Sequence, residues 1–255
     1  MKKKNVTAIG FTVAIGIISA CCIIATVLLC VSGVSPDVYS EKEPIFTVGS
    51  ELSETYDYGD GYIKSIIWVG DKTLSQLSAC CPSIDPSQLL CGEDGSLRLD
   101  YNLSTTPVLI ANEKKYASVA KAAEEIKPKY MIITVGLENG VGYCTEEKFK
   151  EYYSNLIESV KESSPDTKII LQSVFPVSRS VEKANPSVSN GRIRQVNSWI
   201  SSLSTELSVR YLNTHSTLTD EKGFLKQEYD SGDGMTLNES GYGAMIEYVK
   251  THGYK

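Results

Sequence analysis

The sequence predicts an α/β protein with a parallel β-sheet, preceded by one N-terminal membrane-spanning helix. Two observations support this fold class. Short apolar runs typical of buried strands alternate with amphipathic runs typical of helices, and this order favours a parallel sheet covered by helices on both faces. The chain also begins with an uncharged apolar stretch long enough to cross a bilayer. With 255 residues, of which 42% are hydrophobic and 22% charged, its composition is that of a globular protein.

The N-terminal apolar stretch runs from Val6 to Val34 and contains no Asp, Glu, Lys or Arg. A spanning helix needs about 20 apolar residues, whereas a cleavable signal peptide has an apolar core of roughly 7–15 residues. The lysines Lys2, Lys3 and Lys4 predict a cytoplasmic N-terminus and an extracellular remainder. We therefore expect a cytoplasmic tail at 1–5, a signal anchor in the cell membrane at 6–34, an extracytoplasmic stalk at 35–60 and a folded domain at 61–255.

Two other fates of this segment stay open. The run ISAC at Ile18–Cys21 is similar to the lipidation site of bacterial lipoproteins, although an apolar stretch follows the cysteine where a lipoprotein has a polar tether. Cleavage by a peptidase near Val31–Gly33 is the other alternative.

The charge of the chain excludes nucleic acid as a partner. Lys and Arg number 25 against 31 Asp and Glu, a formal net charge of −6, and no acidic residue precedes Asp37. The exported part is therefore more acidic than the whole chain, and such a surface repels phosphate backbones. The sequence has no phosphate-loop signature and no paired zinc-ligand spacing, so we expect no cofactor and no metal.

Four cysteines lie in the predicted extracytoplasmic part, where disulfides persist. They are Cys80, Cys81, Cys91 and Cys144. Four cysteines allow three full pairings, and the sequence does not choose among them. Because the adjacent Cys80 and Cys81 are poor partners for each other, a small loop from one of them to Cys91 is one alternative.

The first half of the domain alternates two strands with two helices. The run SIIWVG at 65–70 and the run KYMIITVG at 129–136 are short and apolar, which predicts buried strands. Residues 112–126 repeat apolar side chains at helical spacing. Residues 145–163 predict a helix with Thr145 as its N-cap, because two glutamates follow in the first turn, where the helix dipole favours negative charge.

The second half repeats this alternation. Residues 167–176 predict a third strand ended by Pro176, and 191–207 an amphipathic helix. Residues 209–214 predict a fourth strand, and 237–252 a closing helix. Because ligands of such sheets bind beyond the carboxyl ends of the strands, the residues that follow each strand form the candidate site.

Three runs in this candidate site resemble the SGNH, or GDSL-type, hydrolase family. They are WVGDKT at 68–73, VGLENG at 135–140 and DGMTLNESGY at 233–242. The resemblance spans roughly residues 62–253. It implies a flavodoxin-like three-layer α/β/α fold and an esterase or acylhydrolase chemistry. In that chemistry a serine attacks an ester, a histidine oriented by an aspartate takes its proton, and N–H groups with an asparagine stabilise the oxyanion.

Carried over position by position, the resemblance leaves no intact catalytic triad. The nucleophile position holds Lys72 and the base position Thr236, so the reacting groups are missing. Glu138 replaces the oxyanion asparagine and Asn139 lies one place late. No glycine of a second oxyanion block stands between Leu103 and Ala117. The family pattern is kept at Asp71, Gly136 and Asp233.

Other residues could take over some of these roles. His215 follows the fourth strand and is a possible substitute base, although a structural histidine is the more common case. Thr73, next to the nucleophile position, is expected to be a helix cap or a first-turn residue. We expect Lys72 to form an ion pair with Asp233, Asp71 or Glu138, since an isolated buried carboxylate is costly.

The leading functional interpretation is a degenerate, membrane-anchored hydrolase-like protein that binds acylated glycans or other envelope components. One alternative is an active esterase or deacetylase that uses non-standard residues, and another is a scaffold or interaction domain without a small ligand. The clustered Tyr56, Tyr58 and Tyr62 are expected to be edge-packing residues, with a glycan-binding platform as the alternative.

Overall fold

A five-stranded parallel sheet forms the centre of the computed structural model, which describes residues 49–254. Its strands are β1 (Ile66–Gly70), β2 (Leu89–Leu90), β5 (Tyr130–Thr134), β6 (Lys168–Gln172) and β7 (Arg210–Leu212), in the order β2-β1-β5-β6-β7. The short strands β3 (Val108–Ile110) and β4 (Lys115–Ala117) form a separate antiparallel pair. The sheet order corresponds to the flavodoxin-like order 2-1-3-4-5.

Helices cover both faces of this sheet. They are α1 (Gly59–Lys64), α2 (Leu77–Cys80), α3 (Val119–Ile126), α4 (Glu146–Ser163), α5 (Arg179–Ala184), α6 (Asn190–Glu206), α7 (His215–Leu218) and α8 (Glu239–Thr251). Successive β1 side chains point to opposite faces. Ile67 and Val69 join the core made with α3, α4 and α6, whereas Ile66 and Trp68 join the core made with α1 and α8. All residues of the two hydrophobic cores lie between Leu52 and Val249.

The four predicted strands and most of the predicted helices are confirmed, with bounds that differ by one to a few residues. Helix α4 begins after Thr145, whose Oγ1 accepts a hydrogen bond from the Lys148 N–H at 3.4 Å, as the capping pattern predicts. The helix predicted over 112–126 is wrong in its first half. Its residues 115–117 pair with β3, and the helix begins only after Ser118, whose Oγ accepts from the Lys121 N–H at 3.2 Å.

Strand β2 was not predicted, because two residues are too short to show any periodicity. Leu89 and Leu90 pair in parallel with Trp68 and Val69 at one edge of the sheet. Gln88 fixes this edge, because its side-chain amide donates to the carbonyl oxygens of Ile63 and Ile66.

The expected tail at 1–5 and signal anchor at 6–34 lie outside the described residues. Within residues 49–254, no helix has the length and apolarity that a membrane crossing requires. The last part of the expected stalk at 35–60 belongs to the folded domain. Residue Leu52 donates its N–H to the Tyr211 carbonyl at 2.8 Å, and Glu51 pairs in parallel with the same strand. Backbone pairing to β7 therefore moves the start of the domain upstream of residue 61.

Candidate functional site

The candidate site lies at the carboxyl ends of β1 and β5. Asp71 follows β1 directly, and the loop containing Gly136 and Glu138 follows β5. Helix α8 also begins near this end, since the hydroxyl of Tyr242 in its first turns donates to the Thr73 carbonyl at 2.6 Å. The sheet therefore brings the first and second family-like runs together, as the sequence predicts.

Asp71 is buried, with 1% of its surface exposed, and holds two loops together. Its Oδ1 accepts from the N–H and the hydroxyl of Thr73, at 3.0 and 2.7 Å. Its Oδ2 accepts from the N–H groups of Gly136 and Leu137, at 3.1 and 3.0 Å. Burial raises the pKa of Asp71, the charge of Glu138 acts in the same direction, and the hydrogen bonds from Thr73 and Gly136 oppose both. Thr73 is thus part of a capped turn, as expected.

Glu138 places a carboxylate where a reaction would need an anion-binding site. Its Oε2 accepts from the backbone N–H of Lys72 at 3.3 Å and also from the hydroxyl of Ser96. In serine acyl-transfer sites the N–H of the nucleophile residue is one of the donors that bind the oxyanion. Here that N–H, at the nucleophile position, already has an anionic acceptor from its own chain. Asn139 is exposed in the next turn position, with φ +63°.

The ion pair expected for Lys72 is not formed. The Lys72 side chain is exposed, and among residues 49–254 no carboxylate lies within ion-pairing distance of its ammonium. The expectation assumed that the carboxylates lacked partners. Asp71 and Asp233 are instead satisfied by N–H and hydroxyl donors, so neither requires a cation.

Asp233 and Thr236 form a closed turn. The Asp233 Oδ2 accepts from the Thr236 hydroxyl at 2.9 Å, and its Oδ1 accepts from the N–H groups of Met235 and Thr236 at 2.8 Å. Partial burial acts to raise the pKa of Asp233, but these donors outweigh it and lower the pKa. The aspartate that would orient an imidazole therefore binds the threonine that stands in the position of the base.

His215, the possible substitute base, is buried and hydrogen-bonded to the loop after β6. Its ring Nδ1 lies 3.1 Å from the Val174 carbonyl oxygen, and its backbone N–H donates to the Ser173 hydroxyl. Burial lowers the pKa of His215 to about 4, against a smaller opposite effect of the Val174 carbonyl. In the described part of the chain the ring has no hydroxyl partner. His252 lies at the far end of α8, where Nδ1 contacts Thr251.

The four cysteines are all free thiols, so the structure forms none of the possible disulfides among Cys80, Cys81, Cys91 and Cys144. Burial raises the pKa of Cys91 to about 12 and that of Cys81 to about 11. The Cys144 thiol donates to the Asn139 carbonyl at 3.4 Å. Residues 49–254 contain no group of three His, Cys, Asp or Glu side chains that could hold a metal ion.

Sequence reasoning missed Ser96 and Gly92. Because β2 ends at Leu90, the loop after the second strand begins at Cys91 and contains Gly92, upstream of the interval searched between Leu103 and Ala117. A Cβ at Gly92 would lie 2.1 Å from the Ser96 carbonyl oxygen, so this turn requires glycine. The turn brings the Ser96 hydroxyl to Glu138. The Gly-x-x-x-Ser spacing follows a two-residue strand that was not predicted. The sequence alone therefore does not indicate that Gly92 and Ser96 belong to the site.

A groove of about 680 Å³ lies next to the Ser96–Glu138 contact. Polar and aromatic side chains line it, including Asp94, Ser96, Arg98 and Tyr116. Arg98 is paired with Asp94 on its rim. A second cavity, of about 460 Å³, is lined by Arg179, Glu182, Lys183, Pro186, Ser189 and Phe224. Neither of the two is lined by Lys72 or Asp233.

The profile of the GDSL-like lipase/acylhydrolase family matches residues 99–244, more than half of the chain. The chain belongs to this family. The match includes Glu138, Asp233 and Thr236 and begins downstream of Asp71 and Lys72. A comparison with curated protein sequences gave no match.

Solved structures show the same GDSL-like fold. A candidate platelet activating factor from Streptococcus pneumonia is 20% identical, with a TM-score of 0.53 over 73% of this chain and 82% of that one. A candidate acylhydrolase from Bacteroides fragilis is 15% identical, with a TM-score of 0.52 over 78% and 89%. A GDSL-like lipase from Bacteroides thetaiotaomicron is 15% identical, with a TM-score of 0.51 over 72% and 85%.

Proposed function

We propose that this protein is a GDSL-family member without hydrolase activity, anchored in the cell membrane, whose extracellular domain binds an acylated glycan or another envelope component. The observation that carries the loss of activity is the hydrogen bond from the Lys72 N–H to the Glu138 carboxylate. It occupies the place where a reacting carbonyl oxygen would have to sit.

The Glu138 carboxylate opposes catalysis in two ways. It accepts the hydrogen bond that an oxyanion would need, and its own negative charge repels the charge that develops on that oxyanion. Removing one oxyanion donor typically lowers kcat by about 10²–10³-fold. A fixed anion in the same place is expected to cost at least as much.

The absence of a serine at position 72 and of a histidine at position 236 also argues against hydrolysis. Nucleophilic lysines lie desolvated in apolar pockets, whereas the Lys72 side chain is exposed. Thr236 cannot accept a proton as an imidazole does, and its hydroxyl is held by Asp233. Activity through non-standard residues would need a hydroxyl beside an imidazole, and His215 is bonded to a backbone carbonyl instead.

The groove beside Ser96 supports a binding role over that of a pure scaffold. Tyr116, of which 49% is exposed, offers an aromatic face at one side of the groove. Asp94, Ser96 and Arg98 offer hydrogen-bonding groups. An aromatic face together with a few polar groups suits a sugar ring, which has both apolar and hydroxyl faces. The apolar run from Val6 to Val34 and the lysines before it support the anchor.

Hydrolysis of p-nitrophenyl acetate by the full chain tests the loss of activity. We expect no rate above the uncatalysed reaction for the wild type or for Lys72→Ala. The variant Lys72→Ser/Thr236→His is expected to stay slow while Glu138 fills the anion site. Adding Glu138→Asn should raise the rate by about 100-fold, the value of one oxyanion donor.

Two outcomes would contradict this proposal. Wild-type turnover that disappears in Lys72→Ala would make Lys72 a working catalytic residue. A triple variant no faster than the double variant would contradict the role given to Glu138. Ligand binding is tested by calorimetric titration with O-acetylated peptidoglycan fragments. Tyr116→Ala should weaken binding at least tenfold, and Tyr101→Ala, at a tyrosine that is 77% exposed and does not line the groove, should not.

A further inference from the structure

The groove beside Ser96 carries an excess of negative charge. Within residues 49–254 its lining contains three carboxylates, those of Glu93, Asp94 and Asp100. The one cationic side chain of that lining is Arg98. In a concave surface, charges of one sign reinforce one another and raise the local concentration of counter-ions. The groove is therefore expected to attract cations and to repel anions.

Arg98 does not neutralise the groove, because it is already paired. Its Nη2 donates to the Asp94 carboxylate in an ion pair on the rim. This hydrogen bond raises the pKa of Arg98, and the charges of Glu138 and Asp100 act in the same direction. The guanidinium thus lies among more carboxylates than it can neutralise.

The other carboxylates have neutral partners or none. Glu93 is exposed, and in the described part of the chain no cation lies within ion-pairing distance of it. Asp100 is half-buried, and its Oδ1 accepts from the Asn102 backbone N–H at 2.8 Å. Glu138, beside the groove, accepts from the Ser96 hydroxyl and from a backbone N–H. Hydrogen bonds from neutral donors hold these groups in place and leave their negative charge uncompensated.

The neighbouring lysines do not supply the missing cation. Lys115, on β4, is paired with Glu113 and Glu125, at 2.5 and 2.8 Å. Lys72 and Lys114 are exposed, and neither lines the groove. A positive group that enters the groove would therefore meet carboxylates without competing with a lysine of its lining.

An aromatic ring stands beside these carboxylates. Tyr116 lines the same groove, is 49% exposed and pairs with Leu109 across the β3–β4 ladder. The face of a tyrosine ring attracts a cation placed over it, and it also packs against the apolar face of a sugar. A sugar that carries a protonated amine offers both partners at once. A neutral sugar would use the ring and leave the carboxylates unpaired.

We propose that the groove binds a glycan through protonated amino groups, so that the envelope ligand is a polymer of amino sugars with free amines. The proposal rests on the binding role given to this groove above and narrows its ligand by charge. The ammonium groups meet the Tyr116 ring and the carboxylates of Glu93 and Asp100. Polymers rich in phosphate or carboxylate are repelled by the same carboxylates. Acyl groups on the sugar hydroxyls remain compatible with this ligand.

Calorimetric titration of the full chain with two matched tetrasaccharides tests the proposal. One is the β-1,4-linked tetramer of glucosamine, and the other is the same tetramer fully N-acetylated and uncharged. At about pH 5.5 the sugar amines are protonated and free carboxylates are ionised. We expect the glucosamine tetramer to bind about tenfold more tightly, because it alone adds ion pairs and a cation–π contact. Added salt should weaken binding of the glucosamine tetramer and leave that of the N-acetylated tetramer unchanged.

Three variants separate the charge of the groove from the acidity of the whole surface. Glu93→Gln should lower the affinity for the glucosamine tetramer about threefold and leave that for the N-acetylated tetramer unchanged. Glu221→Gln, at an exposed glutamate that does not line the groove, should change neither affinity. Tyr116→Ala should weaken the binding of both tetramers, since the ring contacts the sugar whatever its charge.

Four results would overturn the proposal. Equal affinity for the two tetramers would overturn the selection for amines and leave glycan binding by the groove intact. Equal losses in Glu93→Gln and Glu221→Gln would mean attraction to the acidic surface as a whole. Binding of alanine methyl ester as tight as that of the glucosamine tetramer would make the ligand an aminoacyl ester. Absence of binding by both tetramers and by O-acetylated peptidoglycan fragments would overturn the binding function together with this proposal.

Discussion

Replacing Asp71 by asparagine tests whether this residue holds the site together. The side chain is fully enclosed and accepts four hydrogen bonds, two at each oxygen. An asparagine of the same shape keeps one oxygen and presents an amide NH₂ in place of the other. Because Gly136 and Leu137 offer only N–H donors, the remaining oxygen is expected to stay on their side.

The NH₂ group then faces Thr73. The Thr73 hydroxyl can rotate and accept a hydrogen bond from it, but the Thr73 N–H cannot, so one buried donor loses its acceptor. An unsatisfied buried donor costs about 1–3 kcal/mol, and a hydrogen bond to a charged group is worth about 1.5–3 kcal/mol. We therefore expect Asp71→Asn to lower the free energy of unfolding by about 2–3 kcal/mol.

Urea unfolding of residues 49–255, followed by tryptophan fluorescence, measures this loss. Trp68 is fully buried in β1, three residues before Asp71, and reports on the core. Asp94→Asn makes the same chemical change at an exposed aspartate paired with Arg98, where the loss should stay below about 1 kcal/mol. A loss for Asp71→Asn no larger than that of Asp94→Asn, at an unchanged m-value, would refute the reasoning.

Further predictions concern His215 and two glycines. Because burial lowers the pKa of His215 from 6.5 to about 4, its contribution to stability is complete above pH 6.5 and is lost as the pH falls towards 4, by up to about 3 kcal/mol at 1.36 kcal/mol per pKa unit. His215→Asn should remove that part of the loss in urea unfolding between pH 7 and 4.5, and an identical pH dependence in both proteins would contradict it. Gly92→Ala forces a Cβ against the Ser96 carbonyl and should lower stability by about 1–3 kcal/mol. Gly243→Ala, in α8 with open space around it, should raise stability by about 0.5–1 kcal/mol; thermal unfolding that ranks the two alike would count against both.

Strongly periodic segments could be predicted from the sequence, and short paired segments could not. Helix α4 has its apolar face, its N-cap and its acidic first turn within one continuous segment. Interactions between residues close in sequence therefore predict this helix. Strand β2 consists of two residues, and β4 was taken for part of a helix. Both depend on partners elsewhere in the chain, Trp68 and Val69 for β2 and Val108–Ile110 for β4. Pairing with distant residues produces no alternation of apolar and polar residues within such short segments, so the sequence does not indicate these strands.

The sequence named some residues of the candidate site, missed Ser96 and Gly92, and did not predict the contacts. The positions Lys72, Glu138 and Thr236 follow from the spacing of the family-like runs. The expected ion pair of Lys72 failed because the sequence does not show how many N–H groups a carboxylate collects. The Ser96 contact with Glu138 depends on the turn at Gly92, whose position follows only from the unpredicted β2.

The family residues that this chain keeps are those that support its backbone. Asp71 and Asp233 each accept four hydrogen bonds from loops of the site, and Gly136 has φ +139° with Val174 and Phe149 about 3.1–3.3 Å from a hypothetical Cβ. Of the residues that differ, Lys72 and Thr236 have side chains that no other loop needs, whereas Glu138 accepts from the Lys72 N–H and the Ser96 hydroxyl. Loss of the reacting groups therefore lowers the stability of the fold little. Loss of Asp71 would remove the hydrogen bonds that join the Thr73 turn to the loop after β5. An aspartate that survives in a Gly-Asp run is thus evidence for the fold. Evidence for hydrolysis would be a serine at position 72 and a histidine at position 236.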